Sequence, residues 1–174
     1  MNLKHKILFI IIFLFINSNS FSNDSVAYVD MELIMNKSKV GKLITKKLSD
    51  EHNLNINYFK KKEEELKNKE KKIISQQNIL EKSELEKQLK ALRLEANKYR
   101  IEKNKRLNDI SKKKLNATKI LLQNINPILS EYAKKNSISI LMQKKDIVIG
   151  KTELDKTNEI LKLVDDKITK IDFE

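Results

Sequence analysis

The chain has 174 residues, with 36 Lys or Arg against 24 Asp or Glu, which gives a formal net charge of +12. It contains no Cys, which excludes disulfides, thiolate metal sites and a Cys nucleophile. It contains only two Gly, so a Gly-rich phosphate-binding loop is also excluded. Stability must therefore come from side-chain packing or from the assembly of several copies.

Residues 1–22 have the pattern of a cleavable secretory signal. Lys4 and Lys6 precede an unbroken apolar run at 7–16, and Ser20 and Ser22 have the small-residue spacing that precedes a cleavage site. A membrane-spanning helix needs about twenty apolar residues, so this run is too short to cross a bilayer comfortably. We therefore expect an exported chain that loses residues 1–22, with an uncleaved membrane anchor as the alternative.

Residues 23–55 are expected to supply the N-terminal part of a small body and the start of a long helix. Residues 26–30 are β-prone, and either Asn36 or Ser38 can cap the helix that follows. Gly41 lies in the first turns of that helix. We expect another stretch of backbone to approach closely at this glycine.

Residues 56–118, here called the arm, contain no Pro and no Gly. Ser83 and Glu86 could form a capping box that starts a second helix, so we expect the chain to reverse near residues 78–82. An outward helix from near Ser38 to Leu80 would be on the order of 60 Å long, and the return helix would retrace it. The seam of this helical hairpin would be formed by apolar residues at heptad or three-and-four spacing: Phe59, Leu66, Ile73, Leu80, Leu85, Leu89, Leu92, Ala96 and Tyr99.

Residues 119–174 are predicted to complete the body. A dense apolar stripe ends the return helix, and Pro127 is expected to kink or restart that helix. Residues 137–142 and 147–149 are predicted to form a β-hairpin, and residues 155–171 an amphipathic helix that covers the sheet.

The β-prone segments therefore lie near the two ends of the chain, with a helical excursion between them. We expect an α+β fold in which N- and C-terminal strands form a small β-sheet body and a long α-helical hairpin is inserted. So small a sheet leaves its edges exposed. We therefore expect the edges to pair between copies of the chain.

The arm holds 19 of the basic residues against 10 acidic ones, an excess of nine charges. Mixed Lys and Glu runs can be simply the solvated faces of a long helix. An excess confined to one segment instead favours an anionic partner, and on charge alone this could be a client protein, a lipid headgroup or nucleic acid. Export and the scarcity of aromatic residues in the arm argue against nucleic acid.

The order of these segments carries a family resemblance. Its elements are the β-prone residues 27–30, the helix start at 38–42, the Lys/Glu-rich hairpin, the segments 138–141 and 147–149, and a closing helix, all behind a signal peptide. Over essentially the whole mature chain, this order resembles the Skp (OmpH-like) periplasmic chaperones. The resemblance implies a homotrimer with a β body and three helical tentacles enclosing a cavity. Family members hold unfolded outer-membrane β-barrel proteins in the periplasm without ATP.

Two sets of candidate residues follow. The resemblance implies a trimer body that contains Tyr28, Val29, Ile138, Ile140, Leu141, Ile147 and Ile149. No family motif marks individual client-binding residues, but the local charge and the sparse apolar positions predict client contacts at Lys60, Lys61, Lys62, Leu66, Lys67, Lys71, Lys72, Ile73, Leu92, Lys112, Lys113 and Lys114.

An enzyme is not expected, and no catalytic residue, cofactor or metal site is predicted. His52 is the only His after the signal, and carboxylate pairs such as Asp165 and Asp166 lie among lysines on predicted helices. Anionic lipid or lipopolysaccharide is left open as a further partner. The alternative function is a structural coiled-coil adaptor of the cell envelope that binds one folded partner.

Overall fold

A computed structural model describes residues 25–173, so the predicted signal peptide lies outside the described residues. The α+β architecture is confirmed, because a helical hairpin is inserted between two strands that form one small sheet. Within residues 25–173, no helix has the length and apolarity to span a membrane. The elements in chain order are β1 (Ser25–Val29), α1 (Met31–Lys37), α2 (Lys39–Gln76), α3 (Lys82–Lys135), β2 (Ile138–Gln143), two single-turn 3-10 helices (Lys144–Asp146 and Thr152–Leu154) and α4 (Thr157–Lys167).

The sheet consists of β1 and β2, which run parallel with Ala27 opposite Leu141 and Val29 opposite Gln143. Parallel neighbours need a long crossover, and the whole hairpin serves as that crossover. The predicted strand at 147–149 is wrong. The segment follows the first 3-10 helix, and Val148 and Ile149 are 97% and 91% exposed. A strand requires a partner edge, and none pairs with this segment within the described chain.

The core of the body lies where α1, α3 and α4 meet the sheet. Ile34 of α1, Ile125 of α3, and Ile160 and Val164 of α4 are all fully buried. These aliphatic side chains sit at helical spacing on one face of each helix, which is why the dense stripe after the arm becomes buried. The remaining core residues are Val29, Val40, Leu121, Ile128, Tyr132 and Ile168.

The junction between α1 and α2 is tightly built. Ser38 caps α2, because its hydroxyl accepts a hydrogen bond of 3.1 Å from the Gly41 amide. Asn36 instead lies within α1. A Cβ added to Gly41 would stand 1.8 Å from the Met35 carbonyl oxygen, so the expected close backbone approach is confirmed.

The chain reverses between Gln76 and Lys82, as predicted, but the capping box is wrong. The second helix already begins at Lys82, with Glu81 as its N-cap and without a side-chain cap bond. Ser83 therefore lies inside the first turn. The amides of Glu84 and Leu85 both donate to the Glu81 carbonyl, so the backbone closes this helix end without the serine.

Pro127 does not restart the helix, and α3 is continuous from Lys82 to Lys135. Although proline lacks an amide donor, Ile125 and Ile128 are buried on either side of it. The exposed proline therefore lies on the outer side of a stretch that is held by the core.

After α4, the chain runs without regular structure to the base of the hairpin. There Phe173 is buried beneath the Lys47 ammonium, which lies 5.0 Å from the ring centroid, and the Asn116 amide donates to the Phe173 carbonyl at 3.4 Å. The Asp165 carboxylate accepts a 2.6 Å bond from the Lys39 amide at the start of α2. The C-terminal segment therefore contacts both helices of the hairpin.

Candidate functional site

The arm is a pair of antiparallel helices whose seam combines a few buried apolar side chains with polar contacts. Phe59 and Ile73 of α2 are buried in it, as the heptad pattern predicts. Leu66 and Leu92 are half-buried and line one shallow groove between the helices. An isolated seam of this kind buries little apolar area, so side-chain hydrogen bonds must contribute to holding the helices together.

Near the middle of the arm, an aromatic cluster is tied to a carboxylate. The rings of Phe59 and Tyr99 meet edge to face at 6.3 Å between centroids, and the Lys103 ammonium lies 5.4 Å from the Phe59 centroid. Glu63 accepts bonds from the Tyr99 hydroxyl at 2.6 Å and from Lys103 at 2.7 Å. The bonds from Lys103 and then Tyr99 lower the pKa of the Glu63 carboxyl.

A second cluster lies about one turn closer to the body. The Arg106 guanidinium donates to Glu102 at 2.9 and 2.7 Å and to the buried Asn55 at 3.2 Å. It also stacks on the Tyr58 ring, with Cζ 4.2 Å from the centroid. Tyr58 donates to Glu102 at 2.9 Å. The bond from Arg106, followed by the one from Tyr58, lowers the pKa of Glu102, and the bond to Glu102 raises the pKa of Tyr58.

Two further ion pairs extend this cross-linking along the hairpin. Lys69 contacts both carboxylate oxygens of Glu95 at 2.7 Å, towards the tip. Lys113 contacts both oxygens of Glu51 at 2.9 Å, towards the body. Charged partners thus recur in one register along the seam, and this fixes which turn of α3 faces which turn of α2.

The predicted client-contacting lysines have different environments. Lys62 is paired with Glu65 at 2.6 Å, and Lys113 is paired across the seam, so neither presents a free charge. Within residues 25–173 the other seven are exposed and form no ion pair: Lys60, Lys61, Lys67, Lys71, Lys72, Lys112 and Lys114.

The apolar members of the predicted client-contacting set are not freely exposed. Ile73 is only 8% exposed, and Leu66 and Leu92 face the groove between the helices. The same heptad spacing that marks them as helical places them in the seam. The exposed apolar side chains of the arm lie instead outside the seam, and sequence reasoning did not single them out: Ile56, Ile74, Ile79, Leu94, Ile101, Leu107 and Leu115.

The predicted body residues fall into three groups. Tyr28 and Val29 are buried within the chain, and the Tyr28 hydroxyl donates to the Lys151 carbonyl at 3.1 Å. Ile140 and Ile149 are exposed apolar side chains. The remaining three are half-buried: Ile138, Leu141 and Ile147.

A groove of about 840 Å³ lies beside the sheet, between α1, α3 and the end of β2. Its lining includes Met31, Leu122, Leu129 and Leu141 together with the exposed Met142. Its lining also includes polar and charged side chains, among them Glu32, Gln143 and Lys144. The groove is therefore suited to burial against another polypeptide surface.

The remaining titratable candidates have structural surroundings. His52 is exposed on α2, and Asp165 binds the Lys39 amide. Within residues 25–173, no group of three or more His, Cys, Asp or Glu side chains is arranged to hold a metal ion.

Comparison with known proteins gives a match to one family model. The model for outer membrane proteins of the OmpH-like type matches residues 25–164. The chain belongs to the OmpH-like family. No curated protein sequence matches this member significantly.

A solved structure shares the OmpH-like fold. It is the crystal structure of a candidate outer membrane chaperone (OmpH-like) from Caulobacter crescentus CB15, which superposes with a TM-score of 0.81 at 17% identity. The alignment covers 86% of this chain and 89% of that chain. This likeness shows that the two proteins share their fold.

Proposed function

We propose that the protein is an ATP-independent holdase chaperone of the periplasm that binds unfolded outer-membrane β-barrel proteins and prevents their aggregation. The observation that carries the proposal is the arm, a hairpin of two long helices whose outer faces present unpaired lysines and isolated apolar side chains. An unfolded barrel exposes alternating apolar residues that must be shielded and later released. Many weak contacts on a long surface retain such a chain without a single tight site.

The exposed lysines are proposed to attract acidic clients and to hold them reversibly. Long-range attraction raises the encounter rate, and screening by salt weakens it. The residues proposed for this role are the seven unpaired members of the predicted set, Lys60, Lys61, Lys67, Lys71, Lys72, Lys112 and Lys114, whereas Lys62 and Lys113 serve the hairpin itself.

A homotrimer is proposed as the working assembly, with the arms surrounding a client cavity. Within residues 25–173 no strand pairs with the outer edge of β2, and Ile140, Met142, Val148 and Ile149 expose apolar side chains beside the sheet. Exposed strand edges and apolar patches in a stable protein are normally covered by a partner. A second copy that supplied a strand edge to residues 147–149 would satisfy both requirements.

The test is light scattering from a urea-diluted outer-membrane barrel protein, with and without residues 23–174, at low and high salt, with the assembly mass measured in parallel. We expect suppressed aggregation that weakens as salt rises. The variant Lys60→Glu, Lys61→Glu, Lys67→Glu should lose much of this activity, because it reverses three charges on the arm. Its matched control, Lys134→Glu, Lys162→Glu, Lys170→Glu, reverses three exposed charges outside the arm and should retain activity.

One result would favour the adaptor function instead. A monodisperse oligomer that leaves aggregation unchanged, at every salt concentration, would contradict the holdase. The next measurement would then be binding of one folded envelope partner at fixed stoichiometry.

A further inference from the structure

The outer face of α3 carries exposed apolar side chains at heptad spacing. Leu94, Ile101 and Leu115 are 56%, 60% and 73% exposed. The exposed Asn108 occupies the remaining position of this seven-residue repeat, between Ile101 and Leu115. Residues seven apart on a helix lie on nearly the same face. These positions therefore form a single file along the helix.

Lysines follow the same repeat. Lys98, Lys105, Lys112 and Lys119 each come four residues after a heptad position, and all four are exposed without an ion pair in the described residues 25–173. Residues four apart are neighbours on a helix surface. Apolar and ammonium groups thus alternate along one track, here called the ladder, which runs from Leu94 to Lys119.

The apolar file of the ladder faces away from α2. The side chains of α3 that contact α2 include Tyr99, Arg106 and Lys113, each two residues before a position of the apolar file. Two residues correspond to about 200° of rotation around a helix. The apolar file is therefore on the side opposite the seam, where α2 cannot cover it, whereas the lysines of the ladder, one residue before the seam positions, lie about 100° from the seam.

The charge around the ladder is nearly all of one sign. From residue 87 to residue 119 the sequence holds twelve Lys or Arg and three Asp or Glu. Within the arm, residues 82–118 of α3 have an excess of seven basic residues, and residues 56–76 of α2 have an excess of three. Two of the three acidic residues, Glu95 and Glu102, are already bound in ion pairs. The excess positive charge of the arm is thus concentrated on the return helix.

We propose that the ladder is the track on which α3 holds an extended segment of client polypeptide whose side chains alternate between apolar and acidic. This inference rests on the proposed holdase function and names the face that performs it. The apolar file would contact apolar client side chains, and the adjacent ammonium groups would pair with client carboxylates. The ladder spans on the order of 38 Å, which matches about eleven residues of extended chain, the length of one barrel strand.

The same features disfavour other occupants. A helix from a second copy would bring four lysines against four lysines, and one apolar residue per heptad is half of what a coiled-coil seam provides. The ladder includes no aromatic side chain on which a base could stack. A membrane surface requires a broader apolar face than a single file interrupted by Asn108.

Two pairs of matched variants test the track. Leu94→Asn, Ile101→Asn, Leu115→Asn removes the apolar file, and its control Leu54→Asn, Ile56→Asn, Ile74→Asn removes three exposed apolar groups from α2. Lys98→Gln, Lys105→Gln, Lys112→Gln, Lys119→Gln removes four charges, as does its control Lys134→Gln, Lys135→Gln, Lys162→Gln, Lys170→Gln, whose four exposed lysines lie outside the arm. Circular dichroism checks that each variant keeps its helices.

The probe is a fluorescent peptide of about twelve residues, a barrel-strand length, in which Val alternates with Glu. We expect each ladder variant to bind it roughly tenfold more weakly than the unaltered protein, whereas each control stays within about twofold. A counterpart peptide with Val and Lys should bind weakly to all proteins. If the ladder variants and their controls lose peptide affinity to the same extent, the ladder is not the binding track.

Three further results separate the explanations. A loss of assembly mass in the ladder variants would assign the face to contacts between copies. A loss of binding to anionic phospholipid vesicles with peptide binding intact would assign it to lipid. If the unaltered protein and the ladder variants suppress aggregation equally well, the ladder is not the client track, but the holdase function is retained. If the unaltered protein does not suppress aggregation, the holdase function itself is contradicted.

Discussion

In the body, the fully buried side chains are mainly aliphatic, whereas the buried seam of the arm alternates apolar side chains with hydrogen-bonded polar ones. Ile34, Ile125 and Ile160 are completely shielded from solvent, but in the arm only Phe59, Ile73 and, at its base, Ala117 are buried. Aliphatic burial is insensitive to salt and to mild changes of pH, and ion pairs near the surface are sensitive to both. One chain therefore combines a body stabilised by burial with an arm whose helix pairing depends on charge.

This difference suits an arm that must change conformation locally when it binds a client. Regions with few buried apolar contacts open locally at low free-energy cost. The body offers few such openings, because even its polar side chains are engaged. Burial, together with the hydrogen bond to Glu159, raises the pKa of Tyr132 to about 12, so this tyrosine stays neutral across the physiological range.

The largest expected effect comes from a cavity in the body. Ile125→Ala removes a fully buried side chain at the centre of the core, and we expect the free energy of unfolding to fall by about 3 kcal/mol. Urea denaturation followed by circular dichroism measures this change. The exposed Leu115→Ala on the same helix should cost almost nothing. Equal effects would mean that the body and the outer arm surface are stabilised alike.

Much of this contrast could be predicted from the sequence. Helical periodicity locates the hairpin and the denser stripe that becomes the core, because both follow from which side chains one helix face can bury. Ser38 as a cap and Gly41 as a point of close approach were also predictable, since few residue types satisfy those local requirements.

The errors arise where a pattern needs a partner that it does not specify. Residues 147–149 are β-prone, but strand formation depends on an adjacent edge, and the chain alone supplies none. Likewise, the sequence predicts Leu66, Ile73 and Leu92 both as seam residues and as client contacts, and only the pairing of α2 with α3 shows how far the seam covers them. The exposed file on α3 could have been found by asking which apolar residues fall outside the seam.

An intermediate effect is expected where the body meets the arm. Phe173 lies beyond the residues matched by the family model, yet it is buried against the base of the hairpin. Phe173→Ala should lower the free energy of unfolding by about 1 to 2 kcal/mol, less than a central core cavity because chain ends fray. Hydrogen exchange should quicken near Lys47 and Asn116 and leave the core of the body unchanged. Replacement of the exposed Lys170 by Ala is the control. If hydrogen exchange quickens equally in both variants, Phe173 does not specifically stabilise the base of the hairpin.

The smallest effect, and the one that most sharpens the contrast, is a response of the arm to acid. Hydrogen bonds from Lys103 and Tyr99, and from Arg106 and Tyr58, lower the pKa values of Glu63 and Glu102 in the paired arm. A carboxyl with a lowered pKa in the folded state binds protons more readily in the unfolded state. Its stabilising contribution is therefore present above the ordinary carboxyl pKa of about 4.3 and disappears as the pH falls through the lower, folded value.

We therefore expect arm helicity, followed by circular dichroism from neutral pH downwards, to decrease below this range while the aliphatic core of the body persists. Glu63→Gln, Glu102→Gln should weaken the arm already at neutral pH and flatten its response to acid, since neutral amides cannot make the ion pairs. Glu64→Gln, Glu70→Gln removes two exposed carboxylates of α2, and this control should retain the acid response of the unaltered protein. If arm helicity falls with pH in the same way in both double variants, the acid response reflects overall charge rather than these cross-helix contacts. The pairing of the arm helices would then not depend on Glu63 and Glu102.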